Sequence, residues 1–600
     1  MNILSMNNQM NINKINIKKL NIKTPLFFFF VCWTLMSIEF TAFYVKFNYF
    51  SLYTNAFIGI IDSIVILWPY LLLRPKWRLT VVIPMLLVPI CLLADLLYQR
   101  NFIDVMTVRT MFEFNNLTDL VITSAVASLQ KYDLWFLIPT IVFLTIYILY
   151  FRIIKQGSFS LKIKISGILL TITLFVCQQS FFQSAIKKDG EKIGEPIHTS
   201  WFKTREMMID RDYRILALRW SGFPTYWCMG MYKWLKPMPQ MDASEREDIS
   251  RILELNTKNA KKPLIIDSLP SNTGKNLIFI LVESFNSDGL RVRVNGRPAM
   301  PFTSELISMP DVFVADNVSV QVGDGRSSDG RFMYNTGLLP DLSTPVAMGF
   351  ADVDYPSLPN SLGLPGTEFD CGDPEQWNLS KFSRSTGYSK LHARESMSKD
   401  IARYGGSDAA LFTNSLRFIK QLHQPFAIEL NTMDMHDPYE KFEWKRSDVW
   451  KDKSLSQSEK VYVEKLRQFD TALKNFIEAL KREGLYERSV IVIAGDHNAR
   501  ETMLVGKKFT GREIPFIILN SGLGIKTHAP VAQVDLFPTI LDIMGKPDAR
   551  WRGFGTSLLR NPAVMDTTLN RVPLKDPYSY PSAEDWELSK RMINGGFFNR

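Results

Sequence analysis

The stretch Gly325-Arg326-Ser327-Ser328-Asp329 places a hydroxyl between a cation and a carboxylate, behind the small residues Gly323-Asp324 and ahead of Phe332-Met333-Tyr334. Ser327 can act as a nucleophile if something lowers the cost of its alkoxide, and that helper must come from elsewhere in the chain. The candidates are Glu283, which closes one apolar run, and Asp496-His497, which closes another. Two carboxylates, an imidazole and Ser327 Oγ make a mixed oxygen and nitrogen set that suits Mn²⁺, Mg²⁺ or Zn²⁺ rather than a soft metal. A metal against Oγ would stabilise the alkoxide. Arg326 offers a fixed fork of donors suited to a bound phosphate or sulfate.

Each part has a plainer reading alone. A carboxylate after a strand is commonly a helix cap or a surface charge, and Ser-Ser-Asp is a common helix N-cap. Their joint occurrence at the ends of strands is what points to a site. Four short apolar runs, 277–282, 426–430, 490–494 and 514–519, read as central strands of a largely parallel sheet buried on both faces. Tyr462, Leu466, Phe469, Leu473, Phe476 and Leu480 share one face of a helix over 456–483, with Gly484 as its stop. In open α/β sheets the ligand site lies beyond the carboxyl ends of the strands. Glu283, Asp496 and His497 are therefore expected at one sheet edge.

The first third of the chain is different. Apolar segments near 25–45, 49–73, 79–97, 134–153 and 163–183 are each close to the ~20 residues a helix needs to cross hydrocarbon. Basic residues precede the first span (Lys14, Lys18, Lys19, Lys23), lie between the second and third (Arg74, Lys76, Arg78), and lie between the fourth and fifth (Arg152, Lys155, Lys162, Lys164). The positive-inside rule puts all of these in the cytoplasm and everything after about residue 184 outside it. Glu39, Asp62 and Asp95 fall in or near spans, where a carboxylate marks a function or an interhelical pair. Residues 98–133 read as an amphipathic external segment.

The expected organisation is a cytoplasmic tail (1–24), a membrane domain (25–185), an aromatic and basic juxtamembrane linker (186–265), a catalytic domain (266–565) and a C-terminal tail (566–600). The linker carries Trp201, Phe202, Lys203, Tyr213, Arg214, Trp220 and Trp234, a composition suited to the headgroup layer. Its alternative is a packing arm of the soluble domain. Net charge is +10, but no basic cluster is interleaved with aromatics in a nucleic-acid reading pattern. Membrane topology accounts better for the excess. Five cysteines without metal-ligand spacing argue against a disulfide framework, with Cys228–Cys371 the one pair left open.

Several stretches together resemble the lipoteichoic acid synthase family, membrane-anchored phosphoglycerol transferases of the alkaline phosphatase/sulfatase superfamily. They are Asn276-Leu277-Ile278-Phe279-Ile280-Leu281-Val282-Glu283-Ser284, the Gly325–Asp329 loop, Tyr355-Pro356-Ser357-Leu358-Pro359, Trp377-Asn378, Met435-His436-Asp437-Pro438-Tyr439, Gly495-Asp496-His497 and Val534-Asp535-Leu536-Phe537-Pro538-Thr539. The resemblance implies a helical membrane domain of about five spans followed by an α/β sulfatase-like domain. It implies a single divalent ion, typically manganese, held by Glu283, Ser327, Asp496 and His497. It further implies Ser327 as nucleophile where the family has threonine, His436 as a substrate-phosphate contact and Trp377 as a headgroup-pocket residue. Arg326 stands for a lysine. Leu379 stands where the family has an arginine, and the loop 369–373 lacks an expected histidine.

The reaction so implied moves phosphoglycerol from an anionic phospholipid, phosphatidylglycerol the leading donor, through Ser327 to a hydroxyl of an envelope glycan, glycolipid or polymer. The site would lie outside the cytoplasm on a multi-pass cell-membrane protein. The alternatives are a sulfatase, since 327–331 resembles S-x-P-x-R with Asp329 in the proline position, a phosphoethanolamine transferase, which would carry more cysteines, and a scaffold without activity. The histidines His198, His392, His423 and His528 carry no motif.

Overall fold

The computed structural model describes residues 25–46, 51–102, 105–112, 125–126, 128–154, 158–193, 214–235, 241–259, 262–323, 325–342, 344–397, 407–437, 439, 447–501 and 503–598. The tail 1–24 with its lysines, Lys155, His198, Trp201, Phe202, Lys203, Tyr213, Asp324 and Pro438 lie outside the described residues. The chain folds as two compact units, Met1–Glu113 with Ala125–Pro237, and Phe114–Ser124 with Met238–Arg600.

The first unit contains five helices long and apolar enough to cross a membrane: Pro25–Lys46, Leu52–Leu71, Pro75–Arg100, Lys131–Leu149 and Leu161–Ser184. They coincide with the five segments expected from hydropathy. Among the described residues, the acidic groups of its spans are hydrogen-bonded within the unit. Glu39 accepts from Thr140 Oγ1 at 2.9 Å and Asp95 from the Met106 amide at 2.6 Å. Asp62 accepts from the Tyr44 hydroxyl, from Gln178 Nε2 at 3.2 Å and from the Phe223 amide at 3.0 Å. This is the pairing that an apolar surrounding demands of a carboxylate. Within 98–133, Arg100 holds Asp133 through two bonds of 2.6 and 2.8 Å. Helices Arg214–Ser221 and Phe223–Leu235, which fall in the stretch read as linker, belong to this unit and bury Leu218, Phe223 and Tyr226. Helix Ala243–Asn259 belongs to the second. All five cysteines are free thiols.

The second unit is built on a nine-stranded sheet. Its main strands are β1 (Asn276–Val282), β2 (Phe313–Ser319), β3 (Gly366–Asp370), β4 (Tyr388–His392), β5 (Ala427–Asn431), β6 (Ser489–Gly495) and β7 (Ile514–Leu519), with the two-residue strands β8 (Lys526–Thr527) and β9 (Val531–Ala532). The order is β8-β2-β7-β6-β1-β5-β3-β4, with β9 also pairing with β2. Pairing is parallel throughout, except that β7 runs antiparallel to both β6 and β2. The central position of β1 explains its unbroken apolar run. Ile278, Ile280 and Val282 pack on one side with Leu466, Phe469 and Phe476, while Leu277, Phe279 and Leu281 pack on the other with Phe537 and Ile540. The long helix α1 (Gln457–Arg482) supplies the first of these layers. It starts at a capping box of Ser456 and Glu459 and stops before Gly484, at φ +65°.

Strands β2, β3 and β4 carry no apolar run, and periodicity does not reveal them. β3 reads Gly-Thr-Glu-Phe-Asp, yet every residue in it is buried. Its inward groups are ionic and are neutralised by tertiary partners described below. Residues 566–598 are also structured. Helix α2 (Ala583–Asn594) buries Met592 and Ile593, and Ser589 Oγ donates to the Leu339 carbonyl at 2.7 Å.

Candidate active site at the carboxyl edge of the sheet

β1 and β6 are neighbours in register, Val282 opposite Gly495, so the residues after them emerge side by side. These are Glu283 and Asp496-His497. One ligand atom from each of the three lies within 4.8 Å of the others, and among the described residues they form the cluster able to hold a metal ion. Ser327 reaches the same point from helix α3 (Ser327–Thr336). Its Oγ lies 3.0 Å from Glu283 Oε2 and 3.1 Å from His497 Nε2.

The backbone around this point is tightly determined. Asp329 Oδ2 accepts from the amides of Gly323 and Gly325 at 2.8 and 3.0 Å, which ties the approach loop to the first turn of α3. A Cβ on Gly330 would lie 2.4 Å from the Asp496 carbonyl oxygen, so the helix can press against that loop only with glycine there. Arg326 and Ser284 both adopt positive φ, 41° and 50°, unusual for residues with a Cβ. Ser284 is held there by three bonds. Its amide donates to Asp496 Oδ1 at 2.8 Å, its hydroxyl to Glu283 Oε1 at 2.5 Å, and its carbonyl accepts from Tyr462 OH at 2.7 Å. Such local strain persists where surrounding contacts over-determine it.

The electrostatics favour a cation. Burial works to raise Glu283, but His436 and the hydroxyls of Ser284 and Ser327 hold it below the usual carboxylate range. Asp496 is pushed well above the usual carboxylate range by burial and by Glu283 beside it. Burial, with Arg326 close by, lowers His497 to about 3, so its imidazole is neutral. His497 Nδ1 faces the Asn498 carbonyl at 2.8 Å. A proton on Nδ1 donated to that carbonyl leaves the Nε2 lone pair directed at the cluster, the arrangement of a metal-ligating imidazole. Two carboxylates, one neutral imidazole and one hydroxyl converging in a buried spot fit a hard or borderline divalent ion.

Arg326 lies at this site, but its NH2 donates to the Asn498 carbonyl at 2.9 Å, the oxygen that also accepts from His497 Nδ1, and it braces the histidine through that shared acceptor. His436, five residues past the end of β5, is near enough to Glu283 to help hold its carboxyl low. Its Nδ1 sits 2.6 Å from the Asp437 carbonyl oxygen. Trp377 follows β3 toward the same edge on a left-handed segment, with φ 53° at Trp377 and 49° at Asn378. Neighbouring Asn378 Nδ2 donates to the Ala347 carbonyl at 3.1 Å.

Sequence reasoning missed several groups. Lys465, on α1, is buried and donates to the His436 carbonyl at 2.5 Å, and burial lowers it to about 8 against the pull of Asp434 and Asp437. Arg500 Nε lies 3.4 Å from Asp437 Oδ2. The only signals for these were adjacency, Asp437 to His436 and Arg500 to the Asp496-His497 pair. Arg331, the arginine of the S-x-P-x-R comparison, turns away from the cluster. Its NH2 bonds Glu368 and its Nε lies 2.5 Å from Glu429 Oε1.

A family model described as Sulfatase matches residues 275–546, and one described as lipoteichoic acid synthase N-terminal domain matches residues 6–190. A lipoteichoic acid synthase from Staphylococcus aureus (strain USA300) is 28% identical over 499 residues, covering 78% of this chain and 72% of the relative. Among solved structures, the lipoteichoic acid synthase LtaP from Listeria monocytogenes aligns with 52% of this chain and 81% of its own at 19% identity and a TM-score of 0.43. A lipooligosaccharide phosphoethanolamine transferase from Neisseria meningitidis aligns with 87% of this chain and 95% of its own at 12% identity and a TM-score of 0.47.

Proposed function

This chain belongs to the lipoteichoic acid synthase family, enzymes of the phosphoglycerol transferase type within the sulfatase superfamily, and on that premise we propose that it moves phosphoglycerol from a membrane phospholipid through Ser327 to an envelope hydroxyl. The observation that carries the reading is the position of Ser327 Oγ, within 3.0–3.1 Å of both Glu283 and His497.

Ser327 enters the reaction as its alkoxide, the hydroxyl proton already lost to solvent, and Oγ attacks the phosphorus of phosphatidylglycerol. The bond from phosphorus to the diacylglycerol oxygen breaks, and that oxygen takes up a proton from His436 as diacylglycerol leaves. Glycerophosphate remains esterified to Ser327. A hydroxyl of a glycan, glycolipid or growing polymer then attacks the same phosphorus and gives up its proton to His436, the bond from phosphorus to Ser327 Oγ breaks, and Ser327 is freed as the same alkoxide. A divalent ion, manganese by family resemblance, would be held by Glu283, Asp496, His497 and Ser327 Oγ, and when bound it supplies Lewis-acid stabilisation of the developing charge. Arg326 keeps His497 oriented, and Trp377 lines the headgroup pocket.

Five helices long and apolar enough to cross a membrane tether the site to the bilayer that delivers the donor. The basic residues Arg74, Lys76, Arg78, Lys162 and Lys164 between spans support a catalytic domain outside the cytoplasm.

The test is purified full-length protein with Mn²⁺ and labelled phosphatidylglycerol, followed by mass analysis of the Ser327 peptide. Diacylglycerol release and a phosphoglyceryl adduct on Ser327 are expected. Ser327→Ala should lose activity by about 10³-fold or more, as removal of a covalent nucleophile does. No diacylglycerol, no adduct, and an Ala variant equal to wild type would sink the reading.

A further inference from the structure

The two carboxylates of the cluster share a partner that is not itself one of the four ligands. Ser284 directly follows Glu283 and, because β1 and β6 pair in register, it lies beside Asp496. Its hydroxyl donates to Glu283 Oε1 at 2.5 Å and its amide to Asp496 Oδ1 at 2.8 Å. The His497 amide adds a second bond to Asp496 Oδ1 at 2.6 Å. One oxygen of each carboxylate is thus fixed by Ser284. The other two oxygens face the remaining members of the cluster. Glu283 Oε2 lies 3.0 Å from Ser327 Oγ, and Asp496 Oδ2 lies 3.6 Å from His497 Nε2.

The serine is in turn held from α1. Tyr462 OH, on that helix and buried, donates to the Ser284 carbonyl at 2.7 Å and accepts from the Asn286 amide at 3.1 Å. Its ring packs edge-on against Tyr439 and Phe509. One phenol therefore ties both ends of the turn 284–286 to the long helix. The turn puts Ser284 at φ 50°, a conformation that glycine adopts freely and a residue with a Cβ does not. Glycine would relieve that strain but would lack the hydroxyl that reaches Glu283. A buried hydroxyl must find its partner inside the protein, and the partner of this one is a carboxylate of the cluster.

We propose that Ser284 is a positioning residue of the ion site: through its hydroxyl and its amide it presets Glu283 and Asp496 for a divalent ion, and Tyr462 holds it in that pose. The inference rests on the reading of Glu283, Asp496 and His497 as ligands. A carboxylate free to rotate must be ordered when an ion binds, whereas one already held is not. Hydrogen-bonded partners of metal ligands raise affinity in this way.

The test uses full-length protein stripped with chelator and titrated calorimetrically with Mn²⁺, and separately with Mg²⁺ and Zn²⁺. Thermal scans in chelator report the fold without metal. Ser284→Ala keeps the amide bond and removes the hydroxyl; Ser284→Gly does the same and suits the backbone. Both should raise the Kd for the ion about tenfold or more, the usual effect of removing such a partner, while their midpoints in chelator match wild type. Tyr462→Phe should raise the Kd by a smaller factor. Wild-type affinity in the Ala and Gly variants overturns the inference and leaves the proposed function standing. A loss of affinity matched by a fall of the midpoint in chelator also overturns it, because the serine then serves the fold alone. Should Ser284→Ala not fold, Ser284→Gly decides by the same criteria. If wild type takes up none of the three ions, the inference fails together with the ligand reading, and the Ser327 adduct remains the separate test of phosphoglycerol transfer.

Discussion

Two pairs of buried carboxylates meet the same helix one turn apart. At Ser327 the pair is Glu283 and Asp496; at Arg331 it is Glu368 and Glu429. The lower pair is closed. Arg331 reaches both glutamates, Asn335 Nδ2 donates to Glu429, and Asn431 Nδ2 donates to Glu368 Oε1 at 2.9 Å. The upper pair is met instead by His497, which burial and Arg326 keep neutral. Where the chain supplies the countercharge, the result is a structural ion cluster that locks α3 to β3 and β5. Where it supplies only a neutral imidazole and a hydroxyl, the same kind of carboxylate pair is left in a cluster able to hold a metal ion.

The largest effect should come from the closed cluster. Arg331→Met leaves two buried glutamates without a cation and should cost ~3–5 kcal/mol in denaturant unfolding, the range for breaking a buried pair from one side. A variant as stable as wild type would mean that the cluster is not closed by Arg331.

The open cluster should respond to metal instead. After chelation, Mn²⁺ should raise the stability of wild type by ~3–4 kcal/mol at about 100 to 1,000 times its Kd. Asp496→Asn should lose that gain and should be about as stable as wild type without metal, because burial and Glu283 already drive the Asp496 carboxyl toward its neutral form. Thermal scans with chelator and with Mn²⁺ read both outcomes. Equal metal protection in the variant would break the distinction between the two clusters.

The pH response should be smaller but sharper as a test. Burial, with Glu429 and Asp370 adding to it against the pull of Arg331, raises Glu368 to about 8. A carboxyl raised on folding binds its proton more tightly in the folded state. Its contribution to stability is complete below the ordinary carboxylate range and is lost as pH climbs toward about 8. Wild type should therefore lose on the order of a few kcal/mol across that window, and Glu368→Gln should flatten the slope while costing little at low pH. An unchanged slope in the variant would show that the proton is held elsewhere.

These clusters also show why parts of the chain were readable and parts were not. β1, β5, β6 and β7 are apolar on both faces because both faces meet core, so four runs of hydrophobic residues announce them. α1 announces itself by a single apolar face and a capping box. β3 does not, because Glu368 and Asp370 are buried against ionic and hydrogen-bonding partners from α3 and β5. No local pattern encodes a partner that lies dozens of residues away. Arg326 illustrates the same limit at the site. Its type suits a phosphate, and no local pattern announces that its NH2 also donates to the Asn498 carbonyl.

By itself the sequence determined the five apolar spans, the α/β class of the second unit, and the residue types Glu283, Ser327, Asp496 and His497, since hydropathy, run length and donor chemistry are local properties. Only the tertiary structure decided that Ser327 Oγ stands 3.0 Å from Glu283 and 3.1 Å from His497, that Arg331 is the countercharge of Glu368 and Glu429, and that Arg500 stands 3.4 Å from Asp437. The physical reason is the parallel register of β1 and β6 together with the close approach of α3 at Gly330. Charge pairing is settled by which side chains arrive at the same point, and arrival is a property of the packed sheet.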